Sequence, residues 1–102
     1  MCIDLNYFDN HIKPKDHLVV DMRTQEERLA FNLTDDTFVI DKDDIPYYPS
    51  EVPSFFRTIP VVLLCSNGEF SKTIAENYTT EDSSFTDLYY IRDGHKGLPK
   101  DV

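Results

Sequence analysis

The run Ile59-Pro60-Val61-Val62-Leu63-Leu64-Cys65 is the most constraining stretch of this chain. Nearly every residue in it is β-branched or leucine, so a strand built from it is apolar on both faces. Such a strand cannot leave one face in water and predicts the interior of a parallel sheet covered on both sides. His17 to Met22 (HLVVDM) reads as a short buried strand, Thr37 to Ile40 (TFVI) as a further β-rich run, and Leu88 to Ile91 (LYYI) as the last strand. Between them, Gln25 to Phe31 reads as a helix, with Thr24 as N-cap and Glu27 at the third helical position, as in a capping box. Ser71 to Tyr78 reads as a second helix with Ile74, Ala75 and Tyr78 on one side. Asp41 to Pro53 is acidic and holds three of the six prolines, which predicts mostly loop, with a short helix around Ser54 to Arg57. Arg92 to Val102 reads as a closing loop. Strands alternating with helices imply right-handed parallel crossovers and an α/β fold.

The 102 residues predict one domain over 1–102, with a single modest core. Acidic residues outnumber basic ones 19 to 10, a net charge of −9. That balance argues against nucleic acid and anionic membrane surfaces, both of which need Lys/Arg clusters. No apolar run approaches the ~20 residues that span a bilayer, and the first residues lack the pattern of a signal peptide. The expected location is cytoplasmic. Cys2 and Cys65 read as thiols, Cys2 near a frayed terminus. His11, His17 and His95 show no ligand spacing with one another or with the cysteines, so no metal and no cofactor is expected.

Cys65-Ser66-Asn67-Gly68-Glu69-Phe70-Ser71 joins the strongest strand to a helix. A thiol there faces the amides of the loop and the positive end of the helix, an arrangement that favours a thiolate or the outer sulfur of a persulfide. Glu69 opposes it. The three glycines, Gly68, Gly94 and Gly97, follow the strongest and the last strand. In an open parallel sheet these are the carboxyl ends of strands, where such folds carry their sites.

Along most of its length the chain resembles the rhodanese-like (sulfurtransferase) family. Val20-Asp21-Met22-Arg23, followed by Glu26-Glu27, is similar to the family's first strand signature, Asp-x-Arg and then a Glu-bearing helix. Pro60 to Gly68 is similar to the strand and active-site loop, with Cys, a small residue and Gly in register, and Ser71 matches the serine that commonly starts the next helix. Leu88 to Leu98 is similar to the closing strand and its glycine-bearing loop. The resemblance implies an open parallel sheet flanked by helices in three layers. It also implies that Cys65 accepts sulfane sulfur as a persulfide and passes it to a nucleophile. Asp21 and Arg23 are then structural, as are Gly94 and Gly97 near the site. The chain departs from the family pattern at Phe70, where members often carry a basic residue, and at Glu69, which makes the loop more acidic. Asn32-Leu33-Thr34 replaces the usual Gly-His-Ile, and Leu98 the usual Trp. The missing loop cation predicts that thiosulfate, a dianion, is a poor donor.

Two function classes follow. One is a sulfurtransferase working through Cys65, with a small sulfur donor or a persulfidated protein as partner. The other is a degenerate rhodanese-like binding module that docks a basic protein on its acidic face. For the latter, Asp35-Asp36 to Asp41-Lys42-Asp43-Asp44 is expected on the same rim as the Cys65 loop. A third chemistry, cysteine phosphatase or arsenate reductase, needs an Arg near the sixth position after the Cys to grip an oxyanion. Ser71 stands there, and Arg57 and Arg92 are remote in sequence.

Overall fold

Residue parity along the central strand organises the molecule. In the computed structural model, which describes residues 1–35, 37–46 and 48–99, strand β4 spans Val61–Leu64 and all four of its residues are buried. Val61 and Leu63 face one apolar cluster, with Phe56, Ile74, Ala75, Tyr78 and Phe85. Val62 and Leu64 face the other, with Ile3, Phe8, Ile12, Leu33 and Ile91. Each such side chain contributes ~2 kcal/mol by leaving water, but with both faces apolar a slip by one residue would exchange one buried face for the other, so burial alone does not fix the strand. It is held in place by its neighbours' register.

That register is parallel throughout. β2 (Leu18–Asp21) pairs with β4 from Leu18 opposite Val61 to Asp21 opposite Leu64, and β5 (Leu88–Ile91) pairs with β4 on its other side. β3 (Thr37–Val39) adds outside β2, and β1 (Cys2–Ile3) adds outside β5. The order is β1-β5-β4-β2-β3. From β2 the chain moves outward to β3, and from β4 it moves the opposite way to β5. The reversal opens a crevice beyond the carboxyl ends of β2 and β4, the place where open α/β sheets bind ligands.

Helices close both faces, completing the three layers. α1 (Leu5–Tyr7) runs into a wider π-helical turn, Phe8–Ile12, which buries Phe8 and Ile12 on the second cluster. α2 (Gln25–Ala30) is started by the predicted capping box: the Thr24 hydroxyl accepts from the Glu27 amide, and the Glu27 carboxylate from the Thr24 amide. α3 (Glu69–Glu81) buries Ser71, Ile74, Ala75 and Tyr78 against the first cluster. The Tyr78 hydroxyl donates to the carbonyl of Pro46, tying the proline-rich loop down onto α3.

The structure departs from the sequence reading at several places. α3 starts two residues before Ser71 and runs three beyond Tyr78, its polar last turn carrying no apolar signal. Short 3₁₀ turns occupy Pro49–Glu51, Ser54–Arg57 and Gly94–Gly97; the first and last fall inside segments expected to be loop. The β-rich run Thr37 to Ile40 forms the edge strand β3, so Phe38 and Val39 are about half exposed (49% and 51%). The N-terminal elements went unrecognised, and Cys2 is not frayed: it pairs with Tyr90 in the sheet, and the terminal ammonium donates to the Leu88 carbonyl at 2.8 Å. Two residues are too short a run for periodicity to register.

Candidate active site

The parity that turns Val61 and Leu63 toward α3 carries on to Cys65, which joins the same cluster and is only 4% exposed. Its Sγ accepts from the amides of Gly68 at 3.2 Å and Ser71 at 3.4 Å. Both donors belong to the start of α3, where amides have no helical partner and the helix dipole is positive. Gly68 caps the helix at φ 85°, a left-handed conformation that glycine adopts without strain.

A second loop clamps the first. Gly94, at φ 56°, packs so tightly on it that a Cβ there would lie 2.2 Å from the Cys65 carbonyl oxygen and 2.5 Å from the Gly68 nitrogen. A Cβ on Gly68 would in turn lie 2.8 Å from the amides of Asp93 and Gly94. The His95 amide donates to the Cys65 carbonyl at 2.8 Å, and the Lys96 amide to the Ser66 carbonyl at 3.3 Å. Gly97 has ordinary backbone angles, but a Cβ would meet the Arg92 carbonyl oxygen at 2.5 Å. Gly94 thus packs directly on the Cys65 loop, while Gly97 packs within its own loop.

Asp21 and Arg23 form a buried pair at 2.7 Å, with Arg23 Nε also bonded to both carboxylate oxygens. The remaining Arg23 donors reach the Glu27 carbonyl and, at 3.1 Å, His95 Nδ1. Glu27 also takes the Ser66 hydroxyl at 2.6 Å. Burial alone would raise its carboxyl pKa. The hydrogen bonds from Ser66 and Thr24, with His95 nearby, outweigh burial and hold it below the usual range. The pair and Glu27 thus fix the first residues after β2 to both glycine-bearing loops.

A cleft of about 320 Å³ opens beside the sulfur, lined by Met22, Lys42, Cys65, Ser66, Glu69 and Phe70. Asn67, also on its wall, accepts the Glu69 amide on its side-chain oxygen at 3.0 Å. Ser71 is fully buried, and among the described residues its hydroxyl has no hydrogen-bond partner. Lys42 went unnoticed in the sequence because it stands among Asp41, Asp43 and Asp44 and reads as part of an acidic run. The loop after β3 brings it to the mouth of the cleft, so the cation absent at Phe70 enters from a different segment. Asp41 lies beside it on this rim, as expected for the acidic stretch. Asp35, ahead of β3, instead lies with Lys13 and His17 at the amino end of the sheet, because a parallel strand puts its two ends on opposite rims. Asp36 lies outside the described residues. Arg57 pairs with Asp82 at 3.0 Å and stacks on Phe85, and Arg92 lies with Cys2 and Tyr90 on the other side of the loop. Neither lines the cleft at Cys65. Among the described residues no group of three His, Cys, Asp or Glu could hold a metal, and no helix is long and apolar enough to cross a membrane.

No protein-family model and no curated protein matches this sequence. Solved structures do. The chain is similar to a rhodanese-like domain protein from Staphylococcus aureus, with TM-score 0.68 and 22% identity over 98% of this chain and 92% of that one. It is also similar to part of an NAD-dependent persulfide reductase from A. fulgidus, with TM-score 0.54 and 21% identity, covering 78% of this chain and 13% of that one. A third likeness, with TM-score 0.56 and 20% identity over 95% of this chain and 78% of the other, is to a Rhodopseudomonas palustris protein of unknown function described as a possible tyrosine phosphatase. Parallel five-stranded sheet, helical layers and these neighbours agree: the fold of this chain is that of a rhodanese-like domain.

Proposed function

We propose that the chain is a sulfurtransferase that carries sulfane sulfur as a persulfide on Cys65. The observation that carries this reading is the pair of amides, from Gly68 and Ser71, converging on Cys65 Sγ within 3.4 Å. Fixed dipoles of this kind favour negative charge on sulfur without reorganising when it develops. In the first half-reaction the Cys65 thiolate attacks the outer sulfur of a donor R–S–SH. The donor's S–S bond breaks, its electron pair leaves with the R–S⁻ thiolate, and Cys65 holds the new S–S bond. In the second, an acceptor nucleophile attacks that outer sulfur and Cys65 departs as the thiolate. No external oxidant or reductant enters. The rhodanese-like neighbours, one of them a domain-sized part of a persulfide reductase, support the same chemistry. Phosphate-ester chemistry lacks its gripping arginine: Ser71 occupies that position, and Arg57 and Arg92 are elsewhere.

Exposure to polysulfide followed by intact-mass analysis and peptide mapping tests the reading. The expected result is one added sulfur on Cys65 that is lost on adding a thiol acceptor. An unmodified Cys65, or sulfur confined to Cys2, overturns it. Thiosulfate is expected to be a poor donor, because Glu69 lies on the wall of the same cleft.

A further inference from the structure

The cleft at Cys65 continues into a second, larger one. A lobe of about 440 Å³ shares Met22, Lys42 and Ser66 with it and extends past Thr24 and Ile40 to Arg28. Its volume is that of a site for a small organic ligand. Its charge opposes that of the chain as a whole: Arg23, Arg28 and Lys42 line it with a single acid, Asp41, although acids outnumber bases 19 to 10 overall. Arg23 is consumed by Asp21. Arg28 spends one nitrogen on the Arg23 carbonyl, and among the described residues neither Arg28 nor Lys42 forms an ion pair. One Asp41 oxygen is already taken by the Asp43 amide at 2.9 Å. Two cations with one carboxylate, Asp41, between them therefore flank a cavity that adjoins the cleft at the sulfur through Met22, Lys42 and Ser66.

We propose that this second lobe binds the organic part of the sulfur donor, a low-molecular-weight thiol bearing carboxylates, with Arg28 and Lys42 as the residues that select it. The proposal rests on the sulfurtransferase reading of Cys65 and names its donor class. With the persulfide end at Cys65, the carboxylates reach Arg28 and Lys42, and Asp41 stands by for an amino group. Thiosulfate is too compact to occupy the second lobe while its outer sulfur meets Cys65. It is left in the first lobe, where Glu69 offsets Lys42. A longer donor escapes that opposition. After transfer the thiol product keeps its carboxylate contacts but loses the covalent reason to stay, and departs by the open mouth.

Binding is measured first, on Cys65→Ser protein, with S-methylglutathione as an unreactive probe and its diethyl ester as the control whose carboxylates are masked. The acid is expected to bind at least ~5-fold more tightly than the ester, the equivalent of one modest ion pair, and the gap is expected to close at high salt. Lys42→Gln and Arg28→Gln, each in the same background, are expected to weaken the acid and leave the ester unchanged. Because Arg28→Gln also removes a hydrogen bond to the Arg23 carbonyl, Lys42→Gln alone is sufficient to decide. With Cys65 intact, Lys42→Gln is expected to raise KM for glutathione persulfide while kcat stays the same. Equal affinity for acid and ester, no binding of the acid, or binding indifferent to Lys42 overturns the proposal. If Cys65 takes up sulfur but the cleft ignores carboxylates, only the donor class is wrong. If Cys65 takes up no sulfur from any donor, the sulfurtransferase reading falls, and this assignment of a donor site falls with it, whatever the binding arm shows.

Discussion

The two thiols of this chain stand on opposite sides of one loop and are held in unlike ways. Cys65 is buried, with two backbone amides aimed at its sulfur by the start of α3. Cys2 is exposed on the outermost strand, beside the side chains of Tyr90 and Arg92. The Cys2 side chain is the main influence raising the pKa of the Arg92 guanidinium. A neighbouring cation is therefore not what separates the two sites. The difference is rigidity. Amides fixed by Gly68, Gly94 and the His95 hydrogen bond cannot turn away from the sulfur, whereas an exposed guanidinium competes with water and salt for its position.

The largest break in that comparison comes from Cys65→Ser. Sulfur transfer is expected to fall by ~1000-fold or more, as for loss of any nucleophile, while Cys2→Ser leaves the rate unchanged; a donor–acceptor assay with both variants decides it. Gly94→Ala attacks the rigidity instead. The new methyl has no room against the Cys65 carbonyl and the Gly68 nitrogen, and the residue sits in a left-handed conformation. A loss of ~3 kcal/mol in urea unfolding is expected, by overpacking and backbone strain together, against ~0.5 kcal/mol or less for Cys2→Ala on the exposed edge.

Glu27→Gln weakens the loop from its far side, where the carboxylate holds Ser66 and completes the cap of α2. About 1 kcal/mol of stability is expected to go, the usual worth of a cap. The pH dependence sharpens this. The folded pKa of Glu27 lies below its reference value of 4.5, so the unfolded chain binds the proton more readily. The stability Glu27 supplies is therefore complete above about pH 4.5 and is lost as pH falls through the folded value. Unfolding followed from neutral to acid pH is expected to show a shallower decline in the Gln variant. The smallest effect is that of Glu69→Gln, a ~3-fold rise in thiosulfate turnover at low salt that fades as salt screens it. A rate unmoved by this change would mean that Lys42 already cancels the carboxylate.

The central strand, the Thr24–Glu27 cap, the β5 strand and the Cys65 loop were legible in the sequence because each is a local pattern: a continuous apolar run, a fixed spacing, a strand followed by glycine. Those patterns carried the α/β class and put Cys65 at the carboxyl end of a strand before a helix. β1 was not legible. Two residues have no period, and their place is set by pairing with β5, 88 positions away in register at Cys2 and Tyr90. The same holds for the site's charge. Sequence shows Lys42 embedded in an acidic run and Arg28 on a helix, and nothing local distinguishes them from solvated surface. Reversal of strand order between β2 and β4 opens the crevice, and the helix after β2 and the loop after β3 then deliver the two cations to it. The proposed nucleophile, Cys65, was thus legible in consecutive residues, where short-range backbone preference decides. The cleft around it is lined by segments that only long-range strand pairing brings together.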